Sequence, residues 1–134
     1  MCDLDHFKSV NDTYGHPFGD QVLQKVSAIL KDAVRSVDLA ARYGGEEFAM
    51  ILEDCDTRGG HQLAERIREK IEGLTFWHDD HPVKVTISLG VATFPATAAE
   101  KSELIEHADQ ALYQAKRSGR NKVVAWSPNS SGEA

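Results

Sequence analysis

The sequence predicts an α+β domain, a mixed sheet with helices packed on it, and three stretches carry that prediction. Val83, Val85, Ile87, Leu89 and Val91 alternate with Lys84, Thr86, Ser88, Gly90 and Ala92, the period of a strand with one buried face. Val22, Leu23, Val26, Ile29, Leu30, Ala33 and Val34 recur at helical spacing, so a long helix must bury one stripe. Gly44-Gly45 stands between the apolar runs 39–43 and 48–52, which reads as a β-hairpin.

The chain starts on the last residues of a strand that ends at Asp3. Phe7 and Val10 stand at i, i+3 and place a short helix up to Gly15. Pro17 suits the first turn of the long helix. After the hairpin, Asp56 or Thr57 caps a helix that turns Leu63, Ala64, Ile67 and Ile71 inward and stops at Gly73. Residues 76–82 read as a loop or short strand around the polar turn His78-Asp79-Asp80-His81. The alternating strand follows as one half-buried element. A last helix carries Leu104, Ile105, Ala108, Ala111, Leu112 and Ala115 and ends near Gly119. Lys122 to Trp126 closes the domain as a strand, and the polar tail 127–134 is expected to fray. No repeat or linker interrupts residues 1–126. The order β-α-α-β-β-α-β-α-β contains a ferredoxin-like βαββαβ core.

At 134 residues the chain is one domain's worth and can bury a real core. A net charge of −6 and a pI near 5.4 argue against a general nucleic-acid binder, whose footprint is basic. Cys2 and Cys55 match no zinc spacing, and a reduced, cytoplasmic setting is the simplest reading. No signal peptide is visible in these residues, and no apolar run is long enough to span a bilayer. No direct membrane contact is expected, and the anchor of a membrane-bound parent would lie outside this chain.

Three polar clusters carry chemistry. In Gly44-Gly45-Glu46-Glu47-Phe48, two adjacent carboxylates sit at or just past the hairpin tip. They repel each other unless a cation lies between them, and the glycines let backbone approach a ligand. Taken alone, Gly-Gly turns and surface glutamates are common. Asp3-Leu4-Asp5-His6-Phe7-Lys8 runs on to Asn11-Asp12, Gly15-His16 and Gly19-Asp20. Asp5 alone reads as a helix cap, whereas Asp3, facing a second acidic turn, suits a hard cation. Asn11 and Asp20 are singly ordinary surface residues. Together they offer an amide and a carboxylate to the N1–H, N2–H2 and O6 edge of guanine. Lys116-Arg117-Ser118-Gly119-Arg120-Asn121 is either a basic helix end favoured by the macrodipole or a triphosphate clamp.

Together these motifs resemble the GGDEF family, the diguanylate cyclases. Gly44 to Phe48 is the family signature in its Gly-Gly-Glu-Glu-Phe form. Asp3-x-Asp5-x-Phe7-Lys8-x-x-Asn11-Asp12-x-x-Gly15-His16-x-x-Gly19-Asp20 is similar to its upstream motif. Ile87 to Ala92 resembles its late strand, and Tyr113 to Lys116 with Gly119-Arg120-Asn121 its C-terminal motif. The resemblance covers the whole chain in order.

The resemblance implies a palm-like nucleotidyl cyclase fold and the joining of two GTP molecules into cyclic di-3′,5′-GMP with release of two pyrophosphates. Each protomer holds one GTP, and a homodimer is required because each 3′-hydroxyl attacks the other's α-phosphate. Asp3, the Leu4 carbonyl and Glu46, with Glu47 near, would hold Mg2+, or Mn2+ in its place. Glu46 or Glu47 would act as the catalytic base. Gly44 and Gly45 would leave room for substrate, Asn11 and Asp20 would read guanine, and Lys8, Lys116 and Arg120 would bind phosphates. Arg35-x-x-Asp38 lies five residues before Gly44, the spacing of the family's product-inhibition site, with Arg66 as its second arginine. The alternative for Arg35 and Asp38 is a surface ion pair at a helix end.

The family domain normally opens with a helix and a full first strand, and an upstream sensory or dimerising domain usually precedes it. Against that pattern residues 1–126 lack the helix and most of the strand. An unpaired gap in the sheet and poor GTP turnover by this chain alone are therefore expected. The runner-up function is a non-catalytic receptor that binds cyclic di-GMP through Arg35 and Asp38.

Overall fold

The computed structural model describes residues 1–128. The central strand β1 (Cys2–Leu4) is followed by α1 (Phe7–Tyr14), α2 (His16–Ala33) and the hairpin β2 (Leu39–Gly44) and β3 (Glu47–Ile51). Next come α3 (Thr57–Glu72), the small hairpin β4 (Phe76–His78) and β5 (His81–Val83), β6 (Ile87–Val91), α4 (Lys101–Arg117) and β7 (Val123–Ala125). The main sheet has the order β2-β3-β1-β6-β7, antiparallel except for the parallel pair β6–β7. Strands β1, β2, β3 and β6 with α2 and α3 make the expected βαββαβ core, and α4 adds β7 beyond it. The tail expected to fray lies, from residue 129 onward, outside the described residues. Among the described residues no helix is long and apolar enough to cross a membrane.

Local signals behave as their chemistry requires. Pro17 sits in the first turn of α2, the Asp56 side chain accepts from Gly59 N–H to cap α3, and Gly73 ends it. The stripe of α2 buries Val22, Leu23, Val26, Ile29 and Leu30. With Ile67 and Ile71 of α3 these pack on Leu4, Phe48, Ile87 and Leu89 to form the main core. Helix α4 covers the opposite face of the sheet, where Gly90 lies against its backbone.

Several expectations are corrected. The alternating run 83–92 is not one strand: Val83 ends β5, residues 84–86 belong to no strand, and β6 begins at Ile87. Within that interruption Thr86 meets Asp5, whose N–H donates to the Thr86 carbonyl at 2.9 Å. Nor is β6 half-buried. Ser88 and Gly90 are as enclosed as Ile87 and Leu89, because helices cover both faces. Residues 76–83 form a true hairpin, with Asp79 and Asp80 both at positive φ in its turn. Ile105 of α4 is exposed rather than inward. The sheet has no gap at β1: Cys2 and Asp3 pair with Phe48 and Glu47 on one side, and Cys2, Asp3 and Leu4 pair with β6 on the other. Both N and O of Met1 also bond to Gly90.

Candidate active site

At the end of β1 the chain turns at His6, left-handed at φ 56°, and enters α1 with no side-chain cap. Asp5 is therefore not the helix cap its position suggests. Its carboxylate points inward and is only 3% exposed. Oδ1 accepts from Ser88 Oγ at 2.7 Å and from Lys116 Nζ at 3.2 Å. Oδ2 accepts from Thr86 Oγ1 at 2.7 Å and from Asn121 N–H at 3.0 Å. The turn after α4 reaches Asp5 because Arg120 and Asn121 both adopt positive φ. The Asn121 side chain then ties that turn to α3, accepting from Arg68 and donating to Glu72.

Asp3 lies on the α4 face of β1, opposite Glu47 on one side and Ser88 on the other. Its Oδ2 is 3.3 Å from Lys116 Nζ, which also lies 3.4 Å from the Leu4 carbonyl oxygen. Burial pushes the Asp3 carboxyl up; Lys116 opposes this, and the charges of Glu46 and Glu47 add to it, for a net rise. For Asp5 burial also pushes upward. The hydrogen bonds from Ser88, Thr86 and Asn121, with the Lys116 charge, outweigh it and hold Asp5 below its ordinary value.

At the hairpin, Glu46 occupies the turn and Glu47 opens β3. Leu4 N–H donates to the Glu46 carbonyl at 3.3 Å, which fixes the turn against the end of β1. Arg42 Nε donates to the Gly45 carbonyl at 2.7 Å and braces the tip from within β2. Gly45 has φ 46°, and the space in front of both glycines is open. Among the described residues no three His, Cys, Asp or Glu side chains converge into a metal cage. Mg2+ does not require one, since it takes one or two carboxylates and completes its octahedron with phosphate oxygens and water.

Among the described residues, two buried side-chain polar atoms lack a hydrogen-bond partner: Asp3 Oδ1 and Asn11 Oδ1. Such atoms are rare in folded proteins and costly. A hard cation suits the first, so the residues present fit a divalent metal. An N–H donor suits the second. Gly19 makes the Asn11 arrangement possible, because a Cβ there would lie 1.8 Å from Asn11 Oδ1. Asp20 follows directly and lines an open groove of about 530 Å3 with Leu23, Gln24, Lys31 and Arg42.

Other candidates stand apart. Lys8 and Arg120 are exposed, and their side chains make no bond among the described residues. Arg35 and Asp38 bond to each other through Nε and NH2 at 3.0 Å each, and Asp38 also accepts from Arg35 N–H and Glu53 N–H at 2.9 Å. The Arg35 side chain hydrogen bonds, with Glu53 N–H, hold the Asp38 carboxyl well below the usual carboxylate range. Arg66 is exposed on α3. Cys2 is buried, and burial pushes its thiol up to about 11.

A family model described as "Diguanylate cyclase, GGDEF domain" matches residues 1–122. The chain belongs to the GGDEF family. This GGDEF domain is 52% identical over 126 residues to the probable diguanylate cyclase DgcT of Escherichia coli K12, covering 92% of this chain and 28% of that protein. It is 44% identical to diguanylate cyclase A of Treponema denticola, covering 92% of this chain and 33% of that protein. It thus spans about a third of these relatives. Among solved structures, the GGDEF domain of DgcB from Caulobacter crescentus in complex with c-di-GMP superposes with a TM-score of 0.87 at 38% identity, over 92% of this chain and 74% of that one. The active GGEEF domain of a diguanylate cyclase from Vibrio cholerae gives 0.86 at 31% identity, over 94% and 80%. The neighbours share the palm-like nucleotidyl cyclase fold, as expected.

Sequence reasoning missed Arg42, Ser88 and Thr86 as parts of this site, gave Asp5 and Asn121 places in the family motifs but no role, and offered Asp5 only the bland reading of a cap. Ser88 carried the one usable signal: a hydroxyl in a strand otherwise built of apolar residues and glycine.

Proposed function

We propose that this chain is the catalytic domain of a cytoplasmic diguanylate cyclase, condensing two GTP into cyclic di-3′,5′-GMP and two pyrophosphates. The observation that supports the reading is the pair of partnerless buried oxygens, Asp3 Oδ1 and Asn11 Oδ1, on the two residues that the family motif assigns to the cation and the guanine. Asp3, the Leu4 carbonyl, Glu46 and Glu47 would hold Mg2+ or Mn2+. Such an ion supplies charge neutralisation at the phosphates and a lowered pKa at the 3′-hydroxyl. Asn11 Oδ1 accepts from a guanine N–H, and Asp20 completes the edge. Gly44 and Gly45 leave room at the hairpin. Lys8, Lys116 and Arg120 orient the β- and γ-phosphates, and Glu46 or Glu47 takes the 3′-hydroxyl proton. Two protomers face each other so that each hydroxyl meets the partner's α-phosphate, brought together by an upstream sensory or dimerising domain. Catalysis is mainly positioning and charge stabilisation.

Glu46→Ala and Glu47→Ala, each made in the full-length protein with its upstream domain and assayed for pyrophosphate release and for cyclic di-GMP binding, test this. Turnover should fall by about 10²-fold or more while product binding persists. Binding of cyclic di-GMP with no turnover by the unaltered protein would instead establish the receptor reading.

We also propose that Arg35, Asp38 and Arg66 form a product-inhibition site. Asp38 and the Glu53 carbonyl bind the Nε/NH2 edge of the exposed Arg35 guanidinium, which leaves its remaining N–H donors open to a guanine edge or a phosphate. Arg35→Ala should abolish inhibition by added cyclic di-GMP and leave the initial rate of GTP turnover within about twofold, because Arg35 touches none of the catalytic groups. Inhibition that survives the substitution would remove the site from Arg35.

A further inference from the structure

A lysine ammonium has three N–H donors and no acceptor. Lys116 faces three acceptors at 3.2–3.4 Å: Asp5 Oδ1, Asp3 Oδ2 and the Leu4 carbonyl. Hydrogen bonds to Asp5 and the Leu4 carbonyl and an ion pair with Asp3 thus hold the ammonium at the end of β1. Two of the three acceptors, Asp3 and the Leu4 carbonyl, are those assigned above to the divalent cation. The third is different in kind. Asp5 is locked by Ser88, Thr86 and the Asn121 N–H, so it stays where it is whether or not a cation is present.

We infer that Lys116 is a placeholder for the divalent cation, pairing with Asp3 through Oδ2 and with the Leu4 carbonyl before the metal–nucleotide arrives, and pivoting on Asp5 toward the phosphates when it does. This rests on the cation reading proposed above. An ammonium and a divalent ion cannot share the Asp3 carboxylate at a few ångströms without strong repulsion. The side chain can leave, because it is 20% exposed at the end of a long flexible stem. Leaving strips it of two partners, and the triphosphate oxygens restore them. Cation and nucleotide thus bind cooperatively, each favouring the lysine position that the other needs. The cation alone binds against the lysine and is held weakly.

The test uses Mn2+ alone as the probe, its binding followed by electron paramagnetic resonance, on the wild type, Lys116→Met and Asp3→Asn. Lys116→Met should bind Mn2+ at least about tenfold more tightly than wild type at a site that Asp3→Asn abolishes. Equal or weaker binding at an Asp3-dependent site would overturn the placeholder role while leaving the cation reading intact. No Asp3-dependent Mn2+ site in either protein, with a non-hydrolysable GTP analogue present or absent, would overturn both. A second measurement needs no variant. The side-chain ammonium resonance of Lys116 in the wild type should shift as Mg2+ saturates the site with that analogue present, and an unmoved resonance at saturation overturns the inference.

Discussion

Asp5→Ala is expected to destabilise the domain by about 3–5 kcal/mol, the usual cost of removing one partner of a buried ion pair. The loss goes beyond one contact. Ser88 Oγ and the Asn121 N–H lose their acceptor, and Lys116 loses the partner on which it pivots. The turn after α4 is then released from the end of β1, which carries Arg120 away from the site. Asp5→Asn keeps the shape but can accept at only one atom, so it should fall between. Urea denaturation checks both, and a change below about 1 kcal/mol for Asp5→Ala would show that its network does not hold the fold. The pH dependence has a definite sign. Asp5 is held below its ordinary value in the folded protein, so it contributes fully above about pH 4 and loses that contribution as pH falls through the lowered value. The gap between wild type and Asp5→Asn should narrow on acidification. Asp3 has the opposite sign: its carboxyl is raised, so its charge costs stability at neutral pH. Asp3→Asn should be at least as stable as wild type and lack turnover, as expected of a group strained for function.

These two aspartates show where the sequence is legible. The acidic hairpin, the Asp56 cap and the Gly73 stop depend on residues close in sequence, so their local chemistry reveals them. The order of elements follows in the same way from helical and strand periods. Asp5 does not, because its side-chain partners lie 81 to 116 residues further along the chain. Periodicity failed at β6 for a related reason. Alternation reports which side chains share a face but not what covers the other face. Ser88 and Gly90 look solvent-facing until α4 is laid over them. The roles proposed for Asp3 and Asn11 came from their residue chemistry and from the family motif, and their partnerless oxygens support those roles. For Lys116 the motif suggested a phosphate ligand, whereas the fold hydrogen-bonds it to Asp5 and the Leu4 carbonyl and pairs it with Asp3.

Gly90→Ala should be the other most damaging single change, and it connects packing to chemistry. A Cβ at Gly90 would lie 2.3 Å from Leu112 N, 2.4 Å from Ala108 O and 2.9 Å from Ala111 C. All three are backbone atoms of α4, so no side-chain rotation relieves the clash, and the helix itself must lift from the sheet. Overpacking of this kind costs about 3 kcal/mol at its upper end. The lift also breaks the close contact of Ala111 and Ala115, both fully buried, with the sheet beneath them. Lys116 is carried one residue beyond Ala115, and its three acceptors are all on β1 or just after it. A shift of about 1 Å in α4 would therefore stretch contacts that now span 3.2–3.4 Å beyond hydrogen-bonding range. Asp3 would lose its compensating charge at the same time as the core loosens. Gly90→Ala is expected to lower the urea midpoint sharply and, in whatever fraction stays folded, to raise the KM for GTP more than a matched surface substitution on α4 such as Lys101→Ala. A variant with wild-type stability would show that α4 does not sit on β6 as closely as its contacts indicate.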